Sequence, residues 1–202
     1  MGVKNSMKWD SVYHNQLEIL REALSKLHRP HVTALIDKIL STQGSLFFVG
    51  VGKNGHVAAK AASTFSSLNI KSFYLDPVEA LHGALSVVTD DDLVIGVSKS
   101  GNTPELYAVL SALCEKSTNI PIVLVHGNDT ISNRCKEISS ISLFIKISHE
   151  CDMFNIVPIA SVSAFTMLLQ SVAIHIAHLR GLNLDTFLGN HPGGHIGTLR
   201  KQ

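Results

Sequence analysis

Apolar positions follow two periods along this chain, helical before residue 44 and strand-like beyond it. Leu17, Leu20, Leu24 and Leu27 recur at helical spacing and Pro30 suits a first helical turn, so the pattern predicts helices over about Met7–Leu27 and Pro30–Thr42. These form an N-terminal helical hairpin over residues 1–43. Beyond Gly44, short apolar runs at Leu46–Val51, Ser72–Leu75, Leu93–Val97, Ile122–Val125 and Leu143–Ile147 alternate with helical stretches. The stretches fall near Asn54–Leu68, Val78–Val87, Pro104–Lys116 and Thr130–Ile138. Such alternation predicts an α/β fold, a three-layer αβα sandwich around a five-stranded parallel sheet. No repeat, low-complexity tract or Pro/Gly/Ser linker divides it, so residues 44–202 read as one domain on which the hairpin packs.

One segment changes the picture. Phe154–Leu179 carries no Asp, Glu, Lys or Arg over a length sufficient to span a bilayer. Pro158 near its start and Ser161, Ser163, Gln170, His175 and His178 within it argue instead for a buried helix, packed on the sheet and against a second subunit. Seventeen basic and sixteen acidic residues give a net charge of +1 without a basic run, which excludes nucleic acid and anionic membrane as expected partners. Cys114, Cys135 and Cys151 are odd in number and far apart, the usage of a reducing compartment, and residues 1–20 lack a secretory signal. The expected location is the cytoplasm.

In open parallel sheets ligands bind beyond the carboxyl ends of the strands, and two polar motifs stand there. Val49-Gly50-Val51-Gly52-Lys53-Asn54-Gly55 follows the first run, and Val97-Ser98-Lys99-Ser100-Gly101-Asn102-Thr103-Pro104-Glu105 follows the third. The second offers hydroxyls at Ser98, Ser100 and Thr103, the backbone at Gly101 and a helix N-terminus, a set suited to a phosphate dianion. The first adds Lys53 with flexible backbone at Gly52 and a polar side chain at Asn54. Neither fits the P-loop or the dinucleotide fingerprint, whose glycines are missing. Strand two leads through Asp76-Pro77 to His82, and strand five to His149-Glu150; the His126-Gly127-Asn128-Asp129 turn after strand four reads as ordinary turn chemistry. A pocket for a small phosphorylated molecule is expected. Among eleven histidines only His82 and His191 are candidates.

From about Gly44 to Leu199 the chain resembles the sugar isomerase (SIS) domain, and within it the D-arabinose 5-phosphate isomerase family. Gly50-Val-Gly-Lys-Asn-Gly-His56, Asp76-Pro-Val-Glu-Ala-Leu-His-Gly83, Ser98-Lys-Ser-Gly-Asn-Thr-Pro-Glu105, Glu150-Cys151 and His191-Pro-Gly-Gly194 carry the resemblance in that order. It implies a flavodoxin-like SIS fold and the interconversion of ribulose 5-phosphate and arabinose 5-phosphate, the step that supplies precursor for the bacterial sugar acid Kdo. It also implies catalytic roles for Lys53, Glu105, Glu150 and His191, and a homotetramer whose pocket takes a C-terminal histidine from a neighbouring subunit. An enediol route needs a carbon base, a cation or donor for the oxyanion and a proton shuttle, which these four side chains supply without cofactor or metal. Glu150 is the expected base, Lys53 the cation, and His191 the acid/base. Substrate-binding positions are Gly52, Asn54, His82, Ser98, Ser100, Gly101, Thr103 and Ser161.

Two stretches depart from the family pattern. Ala84 stands where an acidic residue usually follows His-Gly, and Pro158-Ile159-Ala160-Ser161-Val162-Ser163 replaces Pro-Thr-Ser-Ser-Thr, exchanging two hydroxyls for apolar side chains. Larger members continue into a pair of nucleotide-sensing modules, so a free-standing isomerase domain is expected. The competing readings are a non-catalytic sugar-phosphate sensor and a phosphohexulose or phosphoheptose isomerase.

Overall fold

Both faces of the central sheet are buried, which is why its strands read as continuous apolar runs rather than alternating ones. The computed structural model describes residues 9–129 and 133–199. Helices α1 (Trp9–Ser25) and α2 (Arg29–Ser41) form the expected N-terminal pair, Met7 and Lys8 lying outside the described residues. Then follow β1 (Leu46–Gly50), α3 (Lys53–Ser67), β2 (Ser72–Tyr74), α4 (Pro77–Leu81), β3 (Leu93–Ser98) and α5 (Pro104–Lys116). The remainder comprises β4 (Ile122–His126), α6 (Arg134–Glu137), β5 (Ile141–Phe144), α7 (Ala160–Leu179), α8 (Leu184–Gly189) and α9 (Gly194–Leu199).

All strand pairs are parallel, in the order β2-β1-β3-β4-β5. After β2 the chain returns to the other side of β1, so the winding reverses between β1 and β3. That reversal opens a crevice at their carboxyl ends. Alternate residues then serve two cores. Leu46, Phe48, Ile95, Val97, Val123 and Val125 face α1, α2, α3 and α7, whereas Phe47, Val49, Val94 and Leu124 face the α5 side with Leu106, Leu110 and Leu113.

Several boundaries differ from the pattern's expectation, β5 ending at Phe144 rather than Ile147 among them, and four differ for a local reason that the structure shows. The segment expected as one helix over Val78–Val87 breaks at Gly83, whose φ of 120° no helix accommodates, into α4 and a 3-10 turn at Ala84–Val87. Strand β5 begins at Ile141 rather than Leu143, because Ser140 docks on the Ile122 carbonyl through both its N–H and its hydroxyl. Of the helix expected at Thr130–Ile138, only Arg134–Glu137 is helical among the described residues, and Thr130, Ile131 and Ser132 lie outside them. Helix α7 starts at Ala160 rather than Phe154 because the Asp152 carboxylate accepts from the N–H groups of Phe154, Ile156 and Val157 and folds that stretch into a turn.

Helix α7 is long and apolar enough to cross a membrane, with a mean hydropathy of 1.5 over its best window. Phe165, Leu168, Leu169, Val172, Ala173 and Ile176 are instead buried against α3 and the sheet, the packing that the polar interruptions suggested. Two rings tie α3 to β1: Phe65 and Phe48 are both fully buried with centroids 5.1 Å apart. Phe65→Ala removes that contact and leaves a cavity under α3; an equilibrium urea titration is expected to show a loss of about 3–5 kcal/mol of folding free energy.

Candidate active site

The first wall of the crevice is the turn from β1 into α3. A Cβ on Gly50 would press on the Asn54 carbonyl, and one on Gly55 would come within 3.0 Å of the Gly50 carbonyl, so the helix start lies directly over the strand end. Gly52 makes the turn at φ 58°, a conformation that disfavours side chains. Lys53 then opens α3 and is exposed. A cation at the positive end of a helix dipole costs rather than gains stability, so fold stability does not account for Lys53. Glu105, exposed in the first turn of α5, sits where the dipole favours an acid.

The second wall is the loop from β3 into α5. Ser98 is buried, and its hydroxyl accepts the Gly101 N–H at 3.0 Å while meeting the Thr103 hydroxyl at 2.9 Å. Ser98 and Gly101 thus hold each other and shape the loop. Ser100 is exposed, and its Oγ accepts the Asn102 N–H at 3.1 Å. Thr103 occupies the N-cap of α5 without capping it, and Pro104 has no N–H, so the Glu105 and Leu106 amides have no side-chain acceptor from the cap.

A polar shelf from β4 supports this loop. The imidazole of buried His126 lies 2.5 Å from the Asn128 carbonyl through Nδ1 and 2.6 Å from the Ser142 hydroxyl through Nε2. A carbonyl only accepts, so Nδ1 carries the proton and Nε2 accepts from Ser142. Burial pushes the His126 pKa below its ordinary value and keeps the ring neutral. The Asn128 amide donates to the Ser100 carbonyl at 3.0 Å, the Gly127 N–H to the Lys99 carbonyl at 3.0 Å, and Asn133 fills the space beside Gly101. The turn read as ordinary chemistry is therefore part of the site.

Glu150 forms the floor. Its side chain is 1% exposed, and its Oε2 accepts the Ile159 N–H at 2.8 Å and the Ser161 N–H at 3.1 Å, so the carboxylate caps α7 from outside the helix. Its Oε1 meets no donor in aligned hydrogen-bond geometry; it is held by the Lys99 ammonium at 2.7 Å as an ion pair. Burial acts to raise the carboxyl pKa, but Lys99, Ser161 and the Ile159 N–H outweigh it and hold the group below the ordinary carboxylate range. The lysine that does this is Lys99, not Lys53. Ser161 is itself fully buried, and its N–H is one of the two amides on Oε2.

Between the walls lies a cleft of about 410 Å³ lined by Asn54, Lys99, Ser100, Thr103, Gly127 and Asn128. Of the residues expected from sequence, Asn54, Ser100 and Thr103 line it, Gly52, Lys53 and Glu105 flank it along the chain, and Glu150 reaches it through Lys99. Asn54 Oδ1 is buried without a hydrogen-bond partner beside this opening. His82 caps the C-terminus of α4, exposed and outside the lining.

One chain does not bring His191 to this cleft. Helix α7 runs 20 residues, about 30 Å, away from Glu150, and Arg180 at its end donates to the Ile39 carbonyl of α2. The segment then passes Leu68 and Asn69 at the far end of α3, sharing a groove with Thr186. His191 follows on a turn where its Nδ1 meets the Phe187 carbonyl at 2.7 Å and its ring packs on Phe187. That groove lies beyond the end of α7 opposite to Glu150. Sequence reasoning missed Lys99, although a lysine between two loop serines was its visible signal, and it missed the Gly127-Asn128 shelf.

A five-stranded parallel sheet wound in this order, with a serine- and glycine-rich loop at its reversal point, defines an open α/β domain with its ligand crevice at that edge. The SIS domain profile matches residues 39–176, and the chain belongs to that family. It is 32% identical over 184 residues to the arabinose 5-phosphate isomerase KdsD of Salmonella typhi, covering 90% of this chain and 55% of that protein. KdsD of Escherichia coli K12 is 31% identical over the same share of each chain. The chain therefore spans about half the length of the curated relatives it matches. Among solved structures, the E. coli CFT073 protein c3406 in complex with arabinose 5-phosphate superposes with a TM-score of 0.84 at 30% identity, covering 91% of this chain and 95% of that one.

Two measurements check this geometry. Gly101→Ala forces a side chain into a φ of 68° and onto Asn133, so it is expected to lower the melting temperature and to weaken binding of inorganic phosphate several-fold in a calorimetric titration. Glu150 has a depressed pKa, so the stability it contributes is fully present above the ordinary value of 4.5 and is lost as pH falls through the lower folded value. Melting temperature is accordingly expected to fall more steeply with acid below that value in the parent protein than in Glu150→Gln.

Proposed function

We propose that this domain is an aldose–ketose isomerase that interconverts D-ribulose 5-phosphate and D-arabinose 5-phosphate. The observation that carries the reading is the convergence, at one sheet edge, of an uncapped helix start, lysines on two loops and a fully buried carboxylate. The phosphate sits on the Ser100–Thr103 loop and the α5 amides, with Asn54 on the opposite wall. Glu150 then removes a proton from C1 of the ketose, the electron pair forms the 1,2-enediolate, and the Lys53 ammonium stabilises the charge on oxygen. Return of a proton to C2, with transfer of the hydroxyl proton between O2 and O1, completes the aldose. Glu105 stands at the same rim and shares the base role.

His191 supplies the hydroxyl proton transfer from a neighbouring subunit, because its own chain holds it at the opposite end of the sheet. We infer a homotetramer with a dimer as the minimum. The exposed apolar side chains of Trp9, Met153, Phe154, Ile156 and Ile174 supply surface for it. Three cysteines, all free, fit a cytoplasmic setting. The names of the KdsD relatives support the choice of substrate, and supply of a Kdo precursor is the metabolic role that fits it.

A second reading, a sugar-phosphate sensor, draws on one observation: both oxygens of Glu150 are engaged, one by backbone amides and one by Lys99. Turnover separates the two. With ribulose 5-phosphate as substrate, Glu150→Gln is expected to reduce kcat by at least about 100-fold while still binding the sugar; saturable binding without turnover in the parent protein would favour the sensor. Mixing inactive Lys53→Ala and His191→Ala chains after dissociation is expected to restore up to about a quarter of the sites, since random pairing joins the intact Lys53 of one chain to the intact His191 of the other. No recovery from a confirmed mixed oligomer would contradict the shared pocket.

A further inference from the structure

Lys99 stands between a buried carboxylate and the open cleft. Its backbone belongs to the anion loop, between buried Ser98 and exposed Ser100, and its side chain lines the same cleft as Ser100 and Thr103. Its ammonium nevertheless turns to Glu150 Oε1 at 2.7 Å. The two partners differ sharply in exposure, 36% for the lysine side chain and 1% for the carboxylate. A half-exposed ammonium on a flexible four-carbon stem moves at little cost in solvation. Glu150 does not move with it, because Oε2 is fixed by the Ile159 and Ser161 amides.

Resting on the reading of this cleft as a sugar-phosphate site, we propose that Lys99 is a further substrate-binding and positioning residue, whose ammonium passes from Glu150 to the substrate's phosphate. A phosphate on the loop carries twice the charge of the carboxylate and lies along the stem's reach, so it competes for the same ammonium. Transfer has two consequences. It adds a cation to the phosphate site. It also strips Oε1 of its one ionic partner among the described residues, leaving a buried, fixed carboxylate oxygen open to the cleft. The base is thus uncovered by the substrate that needs it, and water-filled encounters leave it masked.

A double-mutant cycle on phosphate binding tests this without recourse to turnover. Dissociation constants for inorganic phosphate are measured by calorimetry at pH 8, where it is a dianion, for the parent, Lys99→Met, Glu150→Gln and the double variant. Lys99→Met is expected to weaken binding about tenfold, and Glu150→Gln to tighten it about fivefold because nothing then competes for the ammonium. The decisive result is the coupling: in the Lys99→Met background, Glu150→Gln should change affinity by less than about twofold. Equal tightening in both backgrounds would show only the loss of a nearby negative charge, and would overturn the exchange while leaving the sugar-phosphate reading intact. Absence of saturable phosphate binding in the parent would remove that reading and this inference together. Lys99→Gln replaces Lys99→Met should the latter fail to fold, and Lys99→Arg, which keeps the charge, is expected to retain the coupling.

Discussion

A carboxylate withdrawn from water stays ionised only if the protein replaces its solvent shell, and at Glu150 two separate elements do so. The start of α7 gives two backbone amides and the β3–α5 loop gives the Lys99 ammonium, while the Glu150 backbone N–H is held by the Asn155 side-chain oxygen at 2.7 Å. Each element is fixed by the same exchange. Helix α7 has no capping side chain of its own at Ile159, so Glu150 is what satisfies its first amides. The segment after Glu150 accordingly folds back tightly enough to put Cys151 and Asn155 at positive φ. The cleft exists where it does because that carboxylate must be reached from the anion loop.

Sheet topology supplies the second constraint. Parallel strands deliver every carboxyl end to one edge, and reversal of the winding between β1 and β3 leaves room there for a ligand between the Gly52–Asn54 and Ser98–Thr103 turns. Small residues make the approach possible: Gly50 and Gly55 let α3 start against β1, and Gly101 leaves room for Asn133. The loops are then rigid. His126 to Ser142, Asn128 to the Ser100 carbonyl and Gly127 to the Lys99 carbonyl fasten the anion loop to its neighbouring strands before any ligand arrives.

Much of this was legible from local pattern. Runs buried on both faces, such as Leu93–Val97, announce parallel strands, and Pro104 after Thr103 announces the start of α5 to the residue. What local pattern could not carry was distance along the chain. Lys99 and Glu150 are 51 residues apart in sequence, and nothing near either one names the other as partner. Ser98 and Ser161 read as ligand hydroxyls from their neighbours, and pattern alone did not show that both are buried, one accepting the Gly101 N–H and the other giving its N–H to Glu150. His191 shows the same limit at a larger scale: its motif reads as catalytic, and only the length and direction of α7 reveal that its own chain carries it away from the cleft. The Asp152 turn hid for a related reason, since Phe154, Ile156 and Val157 extend the apolar run of α7 while their amides are claimed by one carboxylate.

The enediol route proposed for Glu150 would leave a mark that no binding protein leaves. Ribulose 5-phosphate incubated with the purified protein in deuterated water should yield arabinose 5-phosphate carrying deuterium at C2, visible by proton NMR as loss of the C2 signal. The account predicts that product and that label. Recovery of unchanged, unlabelled ribulose 5-phosphate from a protein shown to bind it would contradict it.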